Sequence, residues 1–190
     1  MRTAFACAFV FAGCLVSVPA SSPAQEVVHA LTGTVSAINS AAKTITVFQD
    51  NGFRGVYNVL SDPKTRISFD RKIEAETTAA DAFKNKGAYV IVFYFGDSQQ
   101  PTVAALKGLG AGPFTSTVGT VEKFESHDHS ISIADKSGAV HKFRIDSATV
   151  AETDMGAEEG LKFRAQTGDR VRVVSSGTGG NSTVLFLRDM

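Results

Sequence analysis

His127-Asp128-His129 is the one run in this sequence whose side chains suit metal ligation, with Glu125 and His141 as further candidates. Two imidazoles and a carboxylate match the donor preferences of Zn or Cu, and neutral imidazole needs no thiolate beside it. Residues 127 and 129 would share a face if the run were extended, with 128 opposite. The trio also falls where a hairpin must turn, and a turn selects polar residues whether or not they bind anything. If Asp135 pairs with Ala139 around Gly138, then Ile133 meets His141 and Ile131 meets Phe143, which sends His141 inward and away from a surface cluster. Both readings stay open here: a solvated turn, or a metal site at His127, Asp128 and His129.

Other chemistry finds little support. No Gly-x-Ser-x-Gly elbow, His-Glu-x-x-His pair or phosphate loop occurs, and the carboxylate pairs Glu74 with Glu76 and Glu158 with Glu159 sit in polar connections. A non-enzymatic role with no cofactor is therefore expected. The chain of 190 residues balances 19 Lys+Arg against 19 Asp+Glu. Residues 25–107 hold 9 basic and 8 acidic groups and residues 108–190 hold 9 and 11, so neither half carries the positive groove that nucleic acid demands.

The N-terminus reads as an export signal. Met1-Arg2-Thr3 is a short positive region, Ala4 to Val18 is apolar or small, and Val18-Pro19-Ala20 and Ser22-Pro23-Ala24 are small-x-small sites. The stretch is shorter than a bilayer span. Residues 1–24 are expected to be removed, which places the protein in the periplasm or outside the cell with no transmembrane segment left. Phe11-Ala12-Gly13-Cys14 offers the alternative of a lipidated Cys14. Cleavage removes Cys7 and Cys14, both cysteines of the chain. The mature domains must then stand on hydrophobic cores without a disulfide.

Internal echoes set the architecture. Gly33-Thr34-Val35 returns as Gly119-Thr120-Val121, and Lys43-Thr44-Ile45-Thr46-Val47 as His129-Ser130-Ile131-Ser132-Ile133, both at a shift of 86. Gly87-Ala88-Tyr89-Val90 returns as Gly168-Asp169-Arg170-Val171, and Thr102 to Lys107 as Thr183 to Arg188, at a shift of 81. Each copy predicts five strands: 33–38, 43–49, 55–60, 88–95 and 102–107, then 119–124, 129–134, 140–145, 170–174 and 183–188. Asp50-Asn51-Gly52 and Asp135-Lys136-Ser137-Gly138 are hairpin turns. Thr78-Ala79-Ala80-Asp81 predicts the start of a short helix over 78–86. Five strands with a helix or loop after the third is the plan of a small OB-type barrel. The fold class is all-β with a short helix: a first barrel over 25–107, a Gly-rich linker over 108–116 and a second barrel over 117–190.

Gly-Thr-Val, the Thr44 to Val47 strand, the Gly turn, the Leu161 to Thr167 lead-in and Gly168-Asp169-Arg170-Val171-Arg172-Val173 together resemble an exported bacterial family of five-stranded barrels of unknown function. The resemblance spans the mature chain twice and implies fold rather than role. Similar barrels occur in periplasmic copper chaperones, whose sites use Met, Trp and His. This chain has no Trp and, past residue 24, only Met155 and Met190, so those ligands do not carry over.

The fourth strands differ in an informative way. Val90 and Val92 match Val171 and Val173 as barrel-facing residues, while Tyr89, Ile91, Phe93 and Phe95 on the other face match Arg170 and Arg172 at their first two positions. The four apolar groups are expected to form a contact, with the helix at 78–86 or the second barrel, a second copy of the chain, or a ligand or lipid. The functional expectation is an exported tandem-barrel binding or interaction protein of the bacterial envelope, its partner a protein or a small molecule. The alternatives are a periplasmic metal binder using the His127 cluster and an enzyme of unrecognised type.

Overall fold

The structure is a computed structural model and describes residues 26–61, 67–68, 70–99, 101–177 and 182–190. The segment expected to direct export, with Cys7 and Cys14, lies outside them. The first unit contains β1 (Glu26–Val27), β2 (His29–Asn39), β3 (Thr44–Gln49), β4 (Arg54–Val59), β5 (Ile67–Ser68), α1 (Arg71–Ala75), β6 (Thr78–Ala79), β7 (Tyr89–Phe95) and β8 (Thr102–Gly108). The second contains β9 (Phe114–Glu125), β10 (Ser130–Asp135), β11 (Val140–Arg144), β12 (Val150–Thr153), β13 (Gly156–Glu159), β14 (Arg170–Ser176) and β15 (Thr183–Asp189).

Each unit is a closed five-stranded barrel of the OB type. The first runs β4-β3-β2-β7-β8 and closes through parallel β4 and β8; the second runs β11-β10-β9-β14-β15 and closes through parallel β11 and β15. Each closure is short, so β8 and β15 keep an edge past it, which β6 and β12 cover. Alternation along the strands fills the two interiors with matching residues: Val35, Ile45, Val47, Tyr57, Val90, Val92, Val103 and Leu106 in one, Val121, Ile131, Ile133, Phe143, Val171, Val173, Val184 and Leu187 in the other.

The same bending device appears in both. A bulge interrupts the pairing of β2 with β3 at Val35/Ala37, and of β9 with β10 at the step from Val121 to Lys123. The freed backbone of Val35 bonds Ala88 and Gly87, and that of Val121 bonds Asp169 and Gly168, so the bulged strand curls round the barrel without orphaned groups. Gly33 and Gly119 sit where a Cβ would fall 2.5 Å from the Phe48 carbonyl oxygen and within contact-breaking distance of that of Ala134. Only glycine permits that approach.

Two expectations need correction. Residues 78–86 do not form an α-helix: Thr78 and Ala79 pair with Leu106 and Ala105 of β8, and a 3₁₀ turn over Ala80–Ala82 delivers Phe83 to the first core. The cause is an open edge, since β4 meets β8 only at Thr102 and Val103 and leaves the following residues to be paired. The short helix lies earlier, at Arg71–Ala75, with the Asp70 carboxylate accepting from Lys72 N at 2.9 Å. The second correction is at residues 114–116 of the expected linker, which already belong to β9 and pair with β14.

Candidate functional site

The barrels meet through a third apolar cluster. Val28, Ala30, Ile73, Ile91, Phe93 and Ala105 of the first pack with Val150, Val174 and Phe186 of the second. Strand alternation produces this directly, because β7 gives Val90 and Val92 to its own barrel and Ile91 and Phe93 to the neighbour. Ile91 and Phe93 are fully buried there. Tyr89 is half-buried, its ring 5.0 Å from Phe114 and its hydroxyl donating to Asp50 Oδ2, while Phe95 is buried at the strand's end. Polar struts flank the cluster: Lys107 Nζ reaches the Ala148 carbonyl at 2.8 Å, Lys162 reaches Asp70 at 2.7 Å, and Ala157 N donates to the Val28 carbonyl at 2.7 Å.

Beside this contact lies a cleft of about 660 Å³ between the barrels, lined by β2, β3, β4 and the end of β7 on one side and by β12 and β15 on the other. Among its lining groups is the carboxylate of Glu152, whose side chain is 6% exposed. Glu152 Oε1 stands 2.7 Å from His29 Nδ1, and Oε2 accepts from Ala30 N at 2.6 Å. Burial raises the Glu152 pKa, opposed by the bonds from His29 and Ala30 N.

Two rings continue from that pair. His29 and Tyr94 have centroids 5.9 Å apart, and Tyr94 and Tyr57 meet edge-on at 5.8 Å. Tyr57 accepts from Gln49 Nε2 at 2.7 Å, and burial, then the neighbouring Tyr94, pushes its phenol up to about 12. Gly55 makes the pair possible: a Cβ there would fall 2.7 Å from the Tyr57 ring and 2.9 Å from Gln49 Nε2. Half-buried Arg188 enters from β15, close enough that its charge lowers the pKa values of Tyr57, Tyr94 and Glu152.

The second barrel repeats the mouth with different chemistry. At the shift of 86, Gln49, Gly55 and Tyr57 become Asp135, His141 and Phe143. The polar contact is retained as His141 Nε2 to Asp135 Oδ2 at 2.8 Å. His141 shares the face of its cross-strand partner Ile133 but remains partly exposed, beside Phe143 and held by Asp135. Bonds from Ser137, then His141, hold the Asp135 carboxyl well below the usual range.

His127, Asp128 and His129 all lie exposed in the turn joining β9 to β10. His129 takes the left-handed conformation, φ 49°, and its carbonyl accepts from Ile145 N at 2.7 Å. Lys43 does the same in the first barrel, at φ 50° with its carbonyl receiving Val59 N. The turn thus accounts for His129 structurally. Glu125 is taken up by Lys123 at 2.7 Å and Lys142 at 3.3 Å, which hold its carboxyl at about 2, and His141 by Asp135. Among the described residues no three His, Cys, Asp or Glu side chains converge to hold a metal ion.

The cleft residues His29, Gln49, Tyr57, Tyr94, Glu152 and Arg188 were not legible as a site. The nearest signal was Gly55 two residues before Tyr57, because a glycine inside a strand marks a close approach. No helix among the described residues is long and apolar enough to cross a membrane.

Fold and cleft define a class, a pair of OB-like barrels joined across an apolar seam. No protein-family profile matches the chain, and no curated protein does. Among solved structures, silver(I)-bound CusF is similar at 16% identity and a TM-score of 0.32, covering 41% of this chain and 99% of that one. Apo-CusF from Escherichia coli is similar at 16% identity and a TM-score of 0.33, covering 43% and 93%. Likeness at that level carries nothing about function.

Proposed function

We propose that the protein is an exported, non-enzymatic binding protein of the bacterial envelope that takes a small molecule in the cleft between its barrels. The observation that carries this reading is the lining of the cleft. Rings from the first barrel, one guanidinium from the second and an internally satisfied Glu152 converge on a concave space of the size small-molecule sites occupy. Among the described residues no nucleophile held by a base accompanies them, which favours binding over turnover. Export rests on the pattern of residues 1–24.

The test is an NMR screen of a mixed library of neutral and charged small molecules against the isotope-labelled mature chain. Hits should shift the amides of Gln49, Tyr57, Tyr94 and Arg188 together. A library that never perturbs them refutes the cleft as a site, and conversion of a bound compound to product refutes the non-enzymatic reading.

A further inference from the structure

Arg172 of β14 and Arg188 of β15 are cross-strand partners. Like charges directly opposite on neighbouring strands repel. Among the described residues neither guanidinium enters an ion pair or hydrogen bond, and Arg172 Nε is buried without a partner. The two share the wall of a narrow gap with Leu31, Thr32, Asp50 and Phe186. Arg172 has carboxylate chemistry across that gap in Asp50, which already receives the hydroxyls of Thr32 and Tyr89. Arg188 instead opens into the cleft.

None of the acidic groups around Arg188 forms an ion pair with it: Glu152, which feels its charge, is bonded to His29 and Ala30 N, Asp50 receives the hydroxyls of Thr32 and Tyr89, and Asp154 and Asp189 are exposed at the rim, where solvent screens them. What faces Arg188 inside the cleft is the Tyr57, Tyr94 and His29 arc, with Gln49 behind it.

Resting on the cleft reading, we propose that the ligand is a small organic carboxylate with a flat body, its carboxylate on Arg188 and its body on the Tyr57–Tyr94 arc. A guanidinium presents a planar fork that matches a carboxylate bidentately. One such cation balances a singly charged acid, whereas a phosphate dianion requires more positive charge than this inner wall supplies. Bound there, the anion also relieves the repulsion between Arg172 and Arg188.

The experiment titrates the full mature chain by NMR with benzoate, benzamide and inorganic phosphate at constant ionic strength. Benzoate should bind at least about tenfold more tightly than either of the others, the charge-assisted fork being absent from benzamide. Arg188→Gln should bring benzoate down to the benzamide level and leave Tm unchanged or raised, because one of two opposed charges has gone. Lys136→Gln, exposed in the turn between β10 and β11 and outside the cleft lining, should leave benzoate affinity unchanged within twofold. Equal binding of benzamide, tighter binding of phosphate, or full benzoate affinity in Arg188→Gln overturns the proposal. If benzoate fails while other library members shift the cleft amides, the carboxylate assignment falls and the cleft reading stands; if nothing in the library shifts them, both fall.

Discussion

His29 Nδ1 in the first barrel and Glu152 Oε1 in the second stand 2.7 Å apart, a polar bond between two separately closed barrels. Burial is the largest influence on Glu152 and raises its pKa. Between the ordinary carboxyl value and the raised one, the unfolded chain has lost this proton while the folded chain keeps it. Stability therefore falls as pH rises through that window, and the contribution is fully present only below the unfolded value. Denaturant midpoints of the native chain and Glu152→Gln, compared from about pH 4 to pH 7, should show the native chain losing ground to the variant as pH rises. The opposite slope would mean that the bond with His29 outweighs burial.

Phe93 is fully buried in the seam between barrels rather than in its own barrel. Phe93→Ala should cost about 3–5 kcal/mol, the range for a buried ring removed from a packed site. Urea unfolding of the full chain checks this, and a loss under about 1 kcal/mol would show that the seam collapses to fill the space.

The ionic struts should behave differently. Lys162 is 53% exposed where it meets Asp70, so screening limits the pair. Lys162→Ala is expected to cost less than about 1 kcal/mol. A cost equal to that of Phe93→Ala would mean that the strut, not the apolar cluster, holds the barrels together.

Gly55→Ala should break the Gln49–Tyr57 bond, since the added methyl meets both side chains. The expected destabilisation is about 1–3 kcal/mol, as for other overpacked sites. The chain has three Tyr and no Trp, and Tyr57, Tyr89 and Tyr94 all lie in the seam or the cleft. Near-UV circular dichroism therefore reads this region directly, and an unchanged tyrosine signal in Gly55→Ala would contradict the prediction.

Export predicts that the protein isolated from its native host begins near Ser21 or Gln25. Intact-mass spectrometry decides it: a chain retaining Met1, or a lipid on Cys14, would remove the expectation of a cleaved soluble form.

Period-2 alternation and paired glycines were enough to read two five-stranded barrels, because a strand's side chains divide between faces by geometry alone and Gly33 and Gly119 mark a contact no other residue permits. The outward stripe at Tyr89, Ile91 and Phe93 was legible for the same reason, as was the pairing of Ile133 with His141, whereas Phe95, expected with them, belongs to neither the first core nor the seam cluster. What covers that stripe was not, because Phe93 and Phe186 lie 93 positions apart and no local pattern encodes a contact at that range. The strand at Thr78–Ala79 was read as helix because its stabilising partner is the uncovered edge of β8, which exists only once the barrel has closed. His129 looked like a ligand by type, yet its place is set by backbone conformation, and Lys43 serves in the other barrel. The cleft was decided wholly in three dimensions: His29, Glu152 and Arg188 carry no motif, and docking one closed barrel on the other supplies the concave surface they line.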